Sequence, residues 1–307
     1  MKSRQLGWLK RHPVLAGFVL MFAFTWPIDL WAAADSHGWT SVSIPPILPL
    51  LVGYGFVAAS LVTTGVIDGR AGIRRLLHQF LVWRIGLLWY AVVLLGAPVV
   101  DLAAIAVHTG LGGAVPDFTQ PFARQVVGSL DLVIALPLFF LFMVLANGEE
   151  IGWRGYALPR LQVRHTALVA SLVVGTVWAF WHIPKFLTAG SAQDYPFWVF
   201  LLDSIAKAIL FTWVYNSTGG SLWAVTLLHA SVNTSVVFLP IVPAAIDDIR
   251  PTLIAIGLRC LLAISVVLVA GPARLTRSRS TQVAAVVAPA PAVAQALDDE
   301  RRRRCAD

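Results

Sequence analysis

Residues 147–156 read Asn-Gly-Glu-Glu-Ile-Gly-Trp-Arg-Gly-Tyr and set two adjacent carboxylates, Glu149 and Glu150, directly after a long apolar run. Neighbouring acids at such a place repel unless their roles differ, and a helix separates them by turning consecutive side chains about 100° apart. Glu150 and Arg154 stand at i, i+4 in the favourable acid-before-base order, so Arg154 can neutralise Glu150. Glu149 is left facing elsewhere with no local partner, as a proton acceptor would be. Farther along, His182 sits among aromatics in Trp178-Ala-Phe-Trp-His-Ile-Pro184, and His229 and Asn233 share a helix face at i, i+4 spacing. Alone, His182 reads as a hydrogen-bonded packing residue and the His229–Asn233 pair as interhelical glue. Together, a carboxylate, two imidazoles and an amide supply a base, a second proton-handling group and two neutral donors. That is the inventory for hydrolysing an amide with an activated water. No serine nucleophile elbow or catalytic cysteine is evident, so water is the expected attacker.

The elements that must position these groups are set by composition. Of 307 residues, 58% are hydrophobic and only 13% charged, against about a quarter charged in soluble domains. With a mean hydropathy of +0.76, a water-soluble core could not absorb the apolar excess. In lipid, backbone polar groups must be satisfied within the segment, so apolar runs of roughly 20 residues are helices unless they close into a barrel. These runs are uninterrupted rather than alternating with period 2, which excludes the barrel. They lie near 14–34, 45–65, 83–107, 126–147, 167–187, 197–215, 222–241 and 252–270, which predicts an all-α, polytopic transmembrane bundle of about eight spans. The first run follows a basic start, is too long and aromatic for a signal peptide, and is expected to stay as an uncleaved first helix.

Loop charges test the count independently, because Lys and Arg should favour alternate loops. The N-terminus is basic, 35–44 has neither residue, and 66–84 holds Arg70, Arg74, Arg75 and Arg84. The next loop has only Arg124, followed by Arg154, Arg160 and Arg164; residues 188–196 and 216–221 have no Lys or Arg. Residues 244–250 carry Asp247, Asp248 and Arg250, and the tail adds Arg274, Arg277 and Arg279. The alternation places both termini in the cytoplasm and accounts for the net charge of +7 without nucleic acid. The expected organisation is a basic N-terminus over 1–13, a helical membrane domain over 14–271 with a protease-like core about 120–240, and a disordered tail over 272–307. Residues 66–82 mix arginine with apolar positions and could lie along the membrane surface. Arg301 to Arg304 offer weak attraction to anionic lipid. Cys260 and Cys305 form no disulfide framework or metal knuckle. Asp29, Asp131, Asp203 and Lys207 also fall within apolar runs, where a helix end or a single interhelical hydrogen bond explains each of them.

The ordered trio of motifs resembles the CAAX prenyl protease 2 and bacterial Abi (CPBP) intramembrane proteases. Glu149, Glu150 and Arg154 look like that family's E-E-x-x-x-R, His182 ends its F-x-x-x-H, and His229 and Asn233 match its H-x-x-x-N. The likeness covers roughly 120–240, with Trp178 standing where the family has Phe. The resemblance implies an intramembrane endopeptidase of the cell membrane, acting on a membrane-associated, CAAX-type substrate. Glu149 and His182 would activate the water, His229 and Asn233 would stabilise the oxyanion, and Glu150 and Arg154 would organise the helix or meet a substrate group. No cofactor is favoured. Zinc held by Glu149, His182 and His229 stays open, although the H-E-x-x-H helix of familiar zinc proteases is absent. Membrane lipid and a peptide or protein substrate are the expected partners. The competing readings are a proton-coupled small-solute transporter, disfavoured because no symmetric halves appear, and a non-catalytic Abi-type immunity or regulatory protein.

Overall fold

In a computed structural model, residues 9–45, 47–119, 122–193 and 195–277 are described, and among them all regular structure is helical. The principal helices are α1 (Pro13–Ser36), α2 (Gly53–His78), α3 (Leu87–Gly110), α4 (Leu132–Ala146), α5 (Ala167–Trp181), α6 (Phe197–Ser217), α7 (Leu222–Phe238) and α8 (Arg250–Ala270). A π-helical segment, Ile151–Ala157, and a short helix, Leu158–Gln162, join α4 to α5. The expected all-α fold and the multi-pass membrane location are both borne out.

Six helical stretches among the described residues are long and apolar enough to cross a membrane, the fourth being Leu132–Gln162 taken as one. Helices α5 and α7 are apolar but shorter, with 15 and 17 residues. At 1.5 Å per residue they reach ~22 and ~25 Å, less than the ~30 Å hydrocarbon core. Burial by their neighbours offsets that shortfall. Helix α7 packs on α3, α4, α6 and the π segment, and nearly all its side chains are buried. Helix α6 packs on α5 and α8. Gly175 permits the α5–α6 contact, since a Cβ there would strike the Ser204 carbonyl and Ala208. The outer surface carries large apolar side chains such as Leu87, Val133, Leu138 and Leu268, as a lipid-facing surface must.

Two boundaries differ from the sequence expectation. The second apolar run starts with a separate short helix, Ile47–Leu51, and α2 kinks at Gly69, whose φ of 66° suits a residue without a Cβ, so the basic stretch after it is a helical segment of its own direction. Residues 272–277, at the head of the expected tail, dock back on the bundle. Ala167 and Leu168 donate backbone bonds to the Ala273 and Pro272 carbonyls at 2.9 and 3.0 Å, and Leu275 is fully buried. Lys2, Arg4, Arg279, Arg301 to Arg304 and Cys305 fall outside the described residues.

The charged residues in the apolar runs resolve differently. Asp131 caps α4, accepting from the Val133 backbone N–H at 2.7 Å, and Asp29 meets Lys185 at 3.4 Å. Asp203 and Lys207 are not isolated, which corrects the expectation of one hydrogen bond apiece. Lys207 Nζ lies 2.6 Å from Asp203 Oδ2, and Arg259 joins Asp203 to Asp101.

Candidate active site

The sequence predicts that Glu149 continues the fourth helix, but the structure breaks that helix first. Helix α4 ends at Ala146, and Asn147 and Gly148 are non-helical. Backbone contact accounts for the break. A Cβ on Gly148 would fall against the Gly53 carbonyl, and one on Gly53 against the Ala146 carbonyl, so only this glycine pair lets the chains approach. The Asn147 side chain then accepts the Glu149 backbone N–H at 3.2 Å and starts the next helical segment. That segment continues as the π-helix over Ile151–Ala157, a winding that occurs disproportionately at functional sites.

The two acids diverge as expected. Glu150 is fully buried, and its Oε1 accepts from Arg154 Nη1 at 3.0 Å. The same oxygen lies 2.8 Å from His229 Nδ1 on α7. Glu149 Oε2 accepts two indole N–H bonds, from Trp153 at 3.2 Å and Trp178 at 2.9 Å. The expectation of no local partner is therefore corrected: among the described residues Glu149 makes no ion pair, but Trp153 donates to it from i+4. The spacing rule that pairs Glu150 with Arg154 also pairs Glu149 with Trp153, so this contact was readable. The Trp178 bond spans 29 positions and was not. The Arg154 guanidinium lies over the Trp178 and Phe211 rings at 5.1 and 4.6 Å, where the ring faces meet its charge.

His182 terminates α5, and its Nδ1 lies 2.9 Å from the Trp178 carbonyl. The expected fifth span is thus divided, with a short helix, Ile183–Phe186, after His182. A carbonyl oxygen only accepts, so Nδ1 carries the proton and a neutral His182 presents a bare Nε2. A carboxylate likewise only accepts, so His229 donates from Nδ1 to Glu150, and its Nε2 carries a proton only when the ring is cationic. Trp178 packs edge-on to both imidazoles, at 6.0 Å from His182 and 5.4 Å from His229.

Glu149, His182, His229 and Asn233 line one cavity of about 310 Å³, while Glu150 and Arg154 lie behind its wall. Among the described residues, Asn233 Nδ2 meets only the Met143 sulfur as an acceptor, at 3.7 Å. Among the described residues, no three His, Cys, Asp or Glu side chains converge as metal ligands would.

Sequence comparison bears on this constellation. Residues 131–235, which contain all six candidate side chains, match the family model described as Type II CAAX prenyl endopeptidase Rce1-like. Over that stretch the chain is similar to the Rce1-like family. It is 32% identical over 149 residues to CAAX prenyl protease 2 of Methanococcus maripaludis. That alignment takes in 46% of this chain and 53% of the relative, so the chain spans about half the length of the curated relative it matches.

Proposed function

We propose that the protein is an intramembrane endopeptidase that hydrolyses a peptide bond of a membrane-associated, CAAX-type prenylated substrate. The observation that carries this reading is the common cavity of Glu149, His182, His229 and Asn233, in which Glu149 accepts two indole bonds and makes no ion pair among the described residues. Glu149 takes a proton from a water that His182 Nε2 orients by accepting its other hydrogen. The water oxygen adds to the carbonyl carbon. Asn233 Nδ2 and a cationic His229 Nε2 donate to the resulting oxyanion. As the intermediate collapses, the Glu149 proton passes to the departing nitrogen and leaves an amine and a carboxylic acid. Glu150 acts through His229, fixing the ring by accepting from its Nδ1, while Arg154 holds Glu150. The two indole donors hold the Glu149 side chain in place.

The topology belongs to the same proposal: eight passes, counting α5 and α7, with both termini cytoplasmic. The alternation of basic loops supports it.

Purified full-length protein in detergent, given a farnesylated CAAX peptide with a quenched fluorophore, is expected to cleave it. His182→Ala and His229→Ala are each expected to abolish cleavage while the cooperative thermal unfolding transition persists. Full activity in either variant would overturn the assignment. Activity lost to a strong chelator and restored only by zinc would overturn the metal-free route.

A further inference from the structure

Between the kink at Gly69 and the start of α3 at Leu87, the chain carries Arg70, Arg74, Arg75 and Arg84 and no acid. Both ends of this stretch are tied to the same end of the bundle. At its start, Asp68 is in a close ion pair with Arg160 of the short helix Leu158–Gln162. At its finish, the Tyr215 hydroxyl near the end of α6 donates to the Gln79 side chain at 2.6 Å. Ser221, which caps α7, donates to the Val82 carbonyl at 2.5 Å. Helix α6 ends here, and α3 and α7 begin. The stretch therefore runs across the end of the bundle, at the level where membrane-crossing helices start and stop.

Its two faces differ in character. Gly72, Leu76 and Gln79, spaced i, i+4 and i+7, are buried against the bundle, with Leu76 lying where a Cβ on Gly155 would strike it. Arg70, Arg74 and His78, spaced i, i+4 and i+8, form an exposed row on the other face, with Leu77 and Leu81 exposed beside them. These five side chains border one shallow depression. Among the described residues, neither Arg70 nor Arg74 makes a side-chain hydrogen bond or an ion pair. The stretch closes on an exposed Trp83, with the Arg84 guanidinium 5.0 Å from the centre of its ring. Tryptophan is enriched at the headgroup level of membranes, where its ring meets apolar carbon and its N–H meets water. Arginines that only orient a membrane protein need lie on one side of it. They need not share a helix face with exposed leucines and lead to a tryptophan.

We propose that the outer face of residues 70–84 is a docking surface for the anionic phospholipids of the surrounding membrane, with Arg70 and Arg74 on their phosphates and Leu77, Leu81 and Trp83 set into the layer beneath. Charge complementarity decides the occupant: two unpaired guanidinium groups face outward from a stretch that holds no acid. The apolar side chains beside them favour a lipid layer over free phosphate, which has nothing to place against leucine or tryptophan.

The test uses full-length protein in nanodiscs of phosphatidylcholine and phosphatidylglycerol, with the phosphatidylglycerol bound per protein read by native mass spectrometry as its mole fraction is raised. Wild type is expected to prefer phosphatidylglycerol, less so as salt rises. Arg70→Gln and Arg74→Gln should each weaken the preference roughly fivefold, and the double variant roughly thirtyfold, equivalent to about 1 kcal/mol per cation near a charged surface. Ala71 is exposed on the same stretch, so Ala71→Lys adds a cation and should strengthen the preference roughly fivefold, an increase that a folding defect could not produce. Arg124→Gln removes one charge from the α3–α4 connection at the far end of the bundle and should leave the preference unchanged. An unchanged preference in the double variant, or an equal loss in Arg124→Gln, would overturn the surface. Displacement of the lipid by millimolar inorganic phosphate would overturn the membrane as its occupant.

Discussion

Two clusters of buried charge lie in this bundle, and they are built to opposite ends. In the first, Arg259 on α8 joins Asp101 on α3 to Asp203 on α6, with Lys207 closing on Asp203 and Ser235 on α7 donating to Asp101 at 2.6 Å. Each acid has a cation, each cation an acid, and four helices are tied. In the second, a single Glu150 oxygen serves both Arg154 and His229, and the neighbouring Glu149 has indole donors in place of a cation. Burying a charge in a membrane is costly, and complete pairing offsets that cost. The first cluster accepts those terms and becomes scaffold. Both clusters border the same cavity, where Asp203, Lys207 and Arg259 are paired with one another and Glu149, His182 and His229 are not tied into such a set of ion pairs.

Substitutions can break that contrast at either end. The largest expected effect is on catalysis: Glu149→Gln keeps the shape and the acceptor oxygen but removes the base, lowering peptide cleavage by about 10²–10⁴-fold. Its thermal stability should stay close to wild type, since no cation is stranded. Next is Arg259→Met, which leaves two buried carboxylates unpaired and should cost about 3–5 kcal/mol, read as loss of folded protein in a detergent melt. Glu150→Gln lies between the clusters. It leaves Arg154 buried without an anion and lets His229 take the other tautomer, so it should lower both stability and cleavage. Trp178→Phe restores the aromatic type of the family motif and deletes one bond to Glu149. A bond to a charged group contributes about 1.5–3 kcal/mol, so cleavage should fall roughly tenfold or somewhat more while His182 and His229 keep their packing.

The smallest effect belongs to a pair outside both clusters. Arg250 donates to Asp248 at the mouth of α8 and holds its carboxyl down to about 2. A carboxyl depressed on folding stabilises above its ordinary range near 3.9, and that contribution is lost as pH falls through the folded value. Asp248→Asn should therefore leave the neutral-pH melting temperature almost unchanged, with any difference from wild type gone below about pH 2. A large shift at neutral pH would show that this pair does more than an exposed one.

Much of the fold was legible because lipid leaves the backbone few choices. Each apolar run lies on helix, and the spacings Glu150–Arg154 and His229–Asn233 are properties of a single helix that a sequence displays directly. Contacts between helices were not readable. Asp101 and Arg259 were passed over although each stands in an apolar run, since nothing local to position 101 reveals position 259. The bond from His229 to Glu150 was hidden for the same reason, and with it the reason for two acids in succession. The glycine contact that ends α4 needed Gly53 and Gly148 seen together, because neither residue by itself distinguishes a helix break from a tolerated small residue.

The π segment has a consequence for how this chain tolerates change in length. Upstream of it, Glu149 and Glu150 must meet the indoles and His229; downstream, the Tyr156 hydroxyl reaches the Pro13 carbonyl at 2.7 Å and Arg160 reaches Asp68. The wide winding between them reconciles two angular registers that an ordinary α-helix of the same length would not bring into phase. A single-residue deletion within 151–157 would let the segment relax to tighter winding and rotate one set of partners away from the other. An insertion or deletion that a loop would absorb silently would here disconnect the candidate active site from the contacts with the first two helices.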